Sequence, residues 1–340
     1  MGLHVVILAG GKGSRFWPLS RQKKGKQFLS IIESKSLIES TIDRINSFPE
    51  SKTTWVVGNQ DQSDFLDDLD VDHILLEPEG KNTAASIGWA ALSIYQIDSD
   101  ARMLVVPADH FIRPALAFHN TIKLALNHLN THDHLLTFGI VPTSPHTGYG
   151  YIEAPCNGTD ILSVKQFTEK PNTQTALSFI ESENYYWNSG IFVWRASLII
   201  NLLKQHLPQT YSILNGIVTN KDSLVDGYAK LDNPSIDVAI LEKSSAQTRL
   251  IRALFQWSDI GSWGALTDFW DRDDNQNSFK GKVTAINSHG NTVYSPKKLV
   301  GLAHVNDLIV VDSDDAILVA HKDHDQAVKA LYDQLDHDYQ

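Results

Sequence analysis

The chain has 340 residues, 29 Lys and Arg against 40 Asp and Glu, a formal charge of −11 and a single cysteine. At about 100–200 residues per domain, this length predicts one large domain plus a smaller one, with a core that needs no covalent staples. One cysteine excludes an intrachain disulfide, no apolar run reaches the roughly 18–20 residues of a membrane span, and the acidic balance disfavours nonspecific binding to nucleic acid or anionic membrane.

Residues 3–9 form a short β-branched apolar run that stops at Gly10-Gly11, which predicts a buried strand. No basic flank precedes it, so it does not read as a signal peptide, and a cytoplasmic protein is expected. Further strands are predicted at 54–58, 73–76, 103–107, 135–141, 190–194 and 248–255. Helical patterns lie between them. Residues 36–47 place Leu37, Ile38, Ile42 and Ile45 near one face, 84–97 is longer, and 115–129 carries Leu116, Ile122, Leu124, Ala125 and Leu126. Such alternation indicates an α/β domain with a mainly parallel, Rossmann-like sheet and helices on both faces. Segment 215–234 is the weakest candidate for ordered structure. From about Asn275 short strands follow at 279–286, 292–294, 300–305, 308–311 and 317–320, and then a helix with Ala327, Val328, Leu331 and Leu335 in step. The expected division is a domain at 1–270 and a small C-terminal β-rich unit with a terminal helix at 275–340.

Charge is distributed unevenly. No Asp or Glu precedes Glu33, while Lys12, Arg15, Arg21, Lys23, Lys24 and Lys26 put six of the 29 cations within 15 residues. A solvated basic surface would look the same. The setting argues for more, because Gly10-Gly11-Lys12-Gly13-Ser14-Arg15 follows a strand. Glycines there let the backbone reach positive φ and bring its N–H groups close to an anion. Neither common phosphate motif fits: a G-x-G-x-x-G read from Gly11 meets Phe16, and no G-x-x-x-x-G-K-[ST] can be drawn.

The run from Gly10 through Phe16-Trp17-Pro18-Leu19-Ser20-Arg21, with Lys26-Gln27-Phe28 after it, resembles the opening signature of the sugar-1-phosphate nucleotidyltransferases. Its Trp-Pro-x-Ser-Arg and Lys-Gln-Phe variants resemble the mannose-1-phosphate guanylyltransferase branch. Gly25 stands where the family usually has Pro. The resemblance implies that Leu8, Gly10, Gly11, Gly13 and Ser14 line the nucleotide. It implies too that Arg15 grips the triphosphate and that Lys26 binds phosphate near the reacting centre.

Later segments extend the resemblance. Val105-Val106-Pro107-Ala108-Asp109-His110 ends a strand on an acid, where open α/β sheets bind ligands, although a lone Asp is more often a turn or cap residue. Trp257-Ser258-Asp259-Ile260-Gly261-Ser262-Trp263 supplies a second acid. By resemblance, Asp109 and Asp259 hold a catalytic Mg²⁺, an ion that takes one or two carboxylates plus phosphates and waters. In Glu77-Pro78-Glu79-Gly80-Lys81-Asn82-Thr83, Asn82 or Thr83 is an ordinary helix N-cap candidate. The resemblance places Glu79 and Asn82 beside the base and ribose. Around Gly148, at Phe167-Thr168-Glu169-Lys170-Pro171 and at Trp187-Asn188-Ser189-Gly190, it implies a sugar-phosphate site. Glu169 and Asn188 would bind hydroxyls, Lys170 the sugar phosphate, and Gly148 would lie close to the sugar.

The implied reaction is GTP plus α-D-mannose 1-phosphate giving GDP-mannose and pyrophosphate, by direct attack on the α-phosphorus. A related enzyme for another sugar 1-phosphate or NTP, or a noncatalytic sugar-nucleotide-binding subunit, remains open on sequence. The family's tail is a left-handed β-helix that packs on the catalytic domain or on a second subunit, as in a homodimer. His128, His132 and His134 have metal-like spacing but straddle a helix end and the next strand without a cysteine, which predicts a solvated turn, as for His321 and His324. Cys156 has no evident partner and no assigned role.

Overall fold

Short apolar runs punctuated by glycine, proline and asparagine become strands, and the helical periodicities between them become covering helices. The computed structural model describes every residue except Met1, Ser51, Cys156 and Asn157, so the cysteine lies outside the described residues. The strands are β1 (Leu3–Ala9), β2 (Lys52–Asn59), β3 (His73–Glu77), β4 (Arg102–Pro107), β5 (Phe111–Arg113), β6 (Leu135–Ile140), β7 (Tyr151–Glu153), β8 (Ile161–Ser163), β9 (Gln166–Thr168), β10 (Tyr185–Arg195), β11 (Thr248–Arg252), β12 (Gln256–Ser258), β13 (Ser278–Ile286), β14 (Thr292–Ala303), β15 (Leu308–Asp312) and β16 (Ile317–His321). The α-helices are α1 (Leu37–Asn46), α2 (Ser63–Leu66), α3 (Asn82–Ile97), α4 (Ala115–Leu129), α5 (Thr173–Glu181), α6 (Ala196–His206), α7 (Pro208–Val218), α8 (Leu224–Tyr228) and α9 (Ala327–Tyr332).

By contact density the chain divides into two units, each assembled from separate stretches. The first comprises Met1–Gly10, Ile42–Ala108 and Ile112–Trp257, and the second Gly11–Thr41, Asp109–Phe111 and Ser258–Gln340.

The first unit holds a mixed, mostly parallel sheet in the order β3-β2-β1-β4-β10-β6-β11-β8, with β7 pairing β10 off this path and β9 pairing β7. Strands β3, β2, β1 and β4 are parallel, as are β6 and β11, while β10 runs antiparallel to β4 and β6. This reversal fixes which end of β10 meets which end of its neighbours. The start of β10 therefore lies at the carboxyl edge of the parallel strands, with Asn188 opposite Gly139. Helix α3 is buried almost all round, as a central helix must be when nearly every position is apolar or small. It packs on α6 and α7. Its Ile87 and Ile94 are fully buried, each contributing about 1.5–3 kcal/mol by burial.

Segment 215–234 corrects the expectation of weak order. It carries the end of α7 and all of α8, with Ile217, Tyr228 and Leu231 in the core and Ser223 capping α8 through the Asp226 N–H. Gly216 and Gly227 hide these helices from a periodicity reading. The predicted strand at 190–194 also grows to eleven residues, and that at 248–255 stops at Arg252.

The second unit joins residues 11–41, distant in sequence from the C-terminus, to residues 258–340 in one core. Phe16, Trp17 and Ile31 pack with Trp263, Trp270, Ile309, Val311, Leu318, Val328 and Tyr332. Indole N–H groups stitch this core: Trp17 to the Tyr339 carbonyl at 2.9 Å, Trp263 to Trp17 at 3.1 Å and Trp270 to Ile31 at 2.8 Å. Strands β13, β14 and β15 are parallel and β16 closes the sheet antiparallel. Asn277 and Asn291 stack at successive turns, the Asn291 Nδ2 donating to Asn277 Oδ1 and to the Val305 carbonyl at 3.0 Å. No helix among the described residues is long and apolar enough to cross a membrane.

Candidate active site

The glycine loop begins where β1 ends. Gly13 has φ 65° and is the residue the geometry most requires. A Cβ there would lie 2.4 Å from Lys26 Cβ and 2.7 Å from Lys26 N, so any side chain would displace the lysine. Gly11 faces open space, as a loop that meets a ligand by its backbone should. A 3₁₀ turn, Ser14–Phe16, follows, and the Ser20 hydroxyl donates to the Gly13 carbonyl at 2.6 Å. In the first unit, the Leu8 carbonyl accepts from the Ala108 N–H, and the Gly10 carbonyl accepts from Asn59 Nδ2 at 2.7 Å.

Four predicted charges converge in the second unit. Lys26 is only 7% exposed, and its ammonium sits 2.8 Å from Asp109 Oδ2 while donating to the Asp259 main-chain carbonyl. A buried ammonium is tolerable only when paired in this way. Burial would raise the Asp109 pKa, but the Lys26 ammonium and His110 outweigh it and hold the carboxyl below its usual range. Gly261 leaves room for the fourth member. A Cβ on it would stand 3.2 Å from Asp259 Oδ2 and 3.4 Å from the Arg15 guanidinium, so Arg15 and Asp259 flank one small space. Arg15 also donates to Gln326 Oε1 at 3.2 Å, just before α9.

Among the described residues, no group of three or more His, Cys, Asp or Glu side chains could hold a metal alone. The donor chemistry here is a different kind: an Asp109 carboxylate paired with Lys26, and a second carboxylate on Asp259, whose main-chain carbonyl accepts from the same lysine. That suits a divalent ion completed by phosphate oxygens and water. The three histidines do come together, with rings 4.4–5.5 Å apart. Burial and nearby Arg249 lower His134 to about 4.

The predicted sugar residues lie in the first unit. Asn188 donates from Nδ2 to Asp237 Oδ1 at 2.8 Å and accepts from Thr137 at 3.1 Å. Lys170 Nζ pairs with Glu169 Oε1 at 2.7 Å. Close approach to Glu169 is made by Gly150, where a Cβ would be 2.7 Å from Glu169 Oε2; at Gly148 it would meet the His146 ring instead. Tyr149 stacks on His146 and packs edge-on against Trp187 and Trp257, an aromatic wall.

Glu79 is exposed and pairs with Lys81 at 3.4 Å. Asn82 is exposed with φ 61°, and its Oδ1 accepts from the next N–H, so it is not an ordinary N-cap; Lys81 holds that position without a side-chain bond to the helix end. Thr83 instead accepts from the Ile236 N–H at 2.8 Å. Sequence reasoning missed Glu77 and Asp237. Glu77 is 2% exposed, and its Oε1 accepts from Ser86 and Tyr228. Burial pushes its pKa up to about 7. Its Oε2 lies 3.4 Å from where a Gly10 Cβ would stand. An acid ending a strand in front of Pro78 was the available signal. Asp237 left none, since its partner is 49 residues away.

A nucleotidyl transferase family model matches residues 4–276, and a mannoseP isomerase/GMP-like beta-helix domain matches 281–335. The mannose-1-phosphate guanylyltransferase of Salmonella muenchen is 38% identical over 97% of this chain and 72% of its own length. The chain belongs to the mannose-1-phosphate guanylyltransferase family of nucleotidyl transferases. This guanylyltransferase-family chain is also 35% identical to the alginate biosynthesis protein AlgA of Pseudomonas aeruginosa, over 97% of its length and 72% of that protein. The crystal structure of mannose-1-phosphate geranyltransferase from Thermus thermophilus matches it with a TM-score of 0.89 at 30% identity, over 98% and 99% of the two chains.

Proposed function

We propose that the protein transfers GMP from GTP to α-D-mannose 1-phosphate, giving GDP-mannose and pyrophosphate. The observation that carries this reading is the convergence of Arg15, Lys26, Asp109 and Asp259 behind a glycine loop fixed by Gly13. In the reaction, an oxygen of the sugar phosphate attacks the α-phosphorus, a P–O bond to that oxygen forms, and the bond to the β-phosphate breaks. The attacker is already an anion, so no strong general base is needed, and catalysis reduces to positioning and charge stabilisation. Loop N–H groups and Ser14 cradle the triphosphate, Lys26 offsets charge at the transferred phosphate, and Arg15 stabilises the departing pyrophosphate. Asp109 and Asp259 would hold Mg²⁺, which when bound neutralises phosphate charge.

Glu79 and Asn82 serve the ribose and base, and Glu77 Oε2 beside Gly10 offers an acceptor for a guanine N–H. Glu169 and Asn188 take sugar hydroxyls, Lys170 takes the sugar phosphate, and the Gly148 backbone lies close to the sugar. We assign the chemistry to residues 1–270 and a supporting role to 275–340, either on that domain or in a homodimer, in the cytoplasm. Pyrophosphate release measured across four NTPs and several sugar 1-phosphates tests the reading. The expected result is release with GTP and mannose 1-phosphate above all other pairs. Preference for another pair would change the substrate, and release with none would make the protein a binding subunit.

A further inference from the structure

Asp237 opens a π-helical turn, Asp237–Leu241, a geometry that is rare and frequently found at functional sites. Its Oδ1 accepts from Asn188 Nδ2 at 2.8 Å. The other end of the same amide is tied as well. Asn188 Oδ1 accepts from the Thr137 hydroxyl at 3.1 Å and from the Gly190 N–H at 3.4 Å. An asparagine amide has two N–H donors and two acceptor lone pairs. Among the described residues three of these four are satisfied, and one N–H remains. Flipping the amide would set its oxygen against a carboxylate and its NH₂ against the Gly190 N–H, so the present orientation is the favoured one.

We propose that Asp237 is a positioning residue for sugar recognition, holding the Asn188 amide so that its one remaining N–H donates to a sugar oxygen. The inference rests on the reading of Asn188 and Glu169 as sugar-binding groups and deepens it. It assigns Asn188 the donor role only, which leaves acceptance of hydroxyl protons to carboxylates such as Glu169. Burial pushes the Asp237 carboxyl up to about 6, with Glu169 adding to the rise and Lys170 opposing it. Glu242, at the end of the same helix, faces Glu169 and Lys243. Charge-assisted hydrogen bonds are about twice as strong as neutral ones, so the hold on Asn188 weakens as pH falls through that range.

Steady-state kinetics of the full chain with Asp237→Ala, Asp237→Asn and Asn188→Ala test this. Losing a charge-assisted bond predicts a KM for mannose 1-phosphate raised about tenfold in Asp237→Ala, with the KM for GTP within about twofold of wild type. Asp237→Asn keeps an oxygen for the Asn188 N–H and should restore that KM to within about threefold. The wild-type advantage over Asp237→Ala in kcat/KM should shrink between about pH 7.5 and about pH 5.5, a ratio in which titration of the sugar phosphate itself cancels. A normal sugar KM in Asp237→Ala, beside a raised one in Asn188→Ala, overturns the positioning role alone. Normal values in both remove the sugar-site reading and this inference with it. Equal changes in both KM values would make Asp237 structural and also overturn it.

Discussion

Around Lys26 each charge has an opposite partner at hand, whereas Asp237 is buried near a second acid, Glu169, and is held by the neutral Asn188 amide, while Lys170 pairs with Glu169. The first arrangement keeps Asp109 ionised below its usual range, and the second lifts Asp237 to about 6. The difference matches the proposed ligands. Phosphates bring charge, so the groups that meet them must be charged and preset; a sugar brings neutral hydroxyls, which need direction more than charge. Damage to the first set should therefore act on turnover, and damage to the second on the KM of one substrate.

The largest effect should come from Asp109→Asn. It removes a carboxylate from the proposed metal pair and unpairs Lys26, and should lower kcat by about 10³ or more. Turnover within about tenfold of wild type, with an unchanged circular dichroism spectrum, would take Asp109 out of the mechanism. Gly13→Ala should come next. Its Cβ has no room beside the Lys26 backbone and φ is 65°, so strain of about 1–3 kcal/mol would move the lysine and cut kcat about 10²-fold. Equal losses of kcat from Gly13→Ala and Glu169→Gln would erase the contrast; Glu169→Gln is expected to raise the sugar KM about tenfold and spare the KM for GTP.

Two smaller effects sharpen the comparison. Glu77 is raised from 4.5 to about 7 by burial, so between those values the folded protein keeps a proton that the unfolded chain has lost. Its contribution to stability is therefore complete below about pH 4.5 and declines as pH rises to about 7, by at most about 3 kcal/mol. Urea midpoints at several pH values should show this slope in the wild type and a flatter one in Glu77→Gln. Gln326→Ala frees Arg15 from its bond to the C-terminal segment and should raise the KM for GTP by about threefold or less, as expected for a single exposed hydrogen bond. A larger rise would give the C-terminal unit a direct part in holding the triphosphate.

The fold was legible wherever one element satisfied its own pattern. Residues 115–129 became α4 without change, and the run 3–9 became β1, because amphipathic spacing and β-branched burial act locally. Segment 215–234 was not legible, since its glycines break the periodicity that Tyr228 and Leu231 restore only by packing. In the proposed site, Gly13, Arg15 and Lys26 stand out in the sequence by composition and resemblance, and Asp109 and Asp259 by resemblance alone. Asp237 did not, because an isolated acid in sequence carries no sign of its partner, and Glu77 offered only its place at a strand end before Pro78.

The sequence alone determined that a basic, acid-free stretch at 12–26 follows a strand, that strands and helices alternate through most of the chain, and that a β-rich tail closes it. Those are properties of neighbours, and neighbours interact through spacing. Only tertiary structure decided that residues 11–41 share a core with residues 258–340, that β10 runs backwards to bring Asn188 to the carboxyl edge, and that Lys26 meets Asp109 and the Asp259 carbonyl. Burial and pairing over such separations are fixed by the whole core, because a buried ammonium or carboxyl is stable only where distant segments supply its partners.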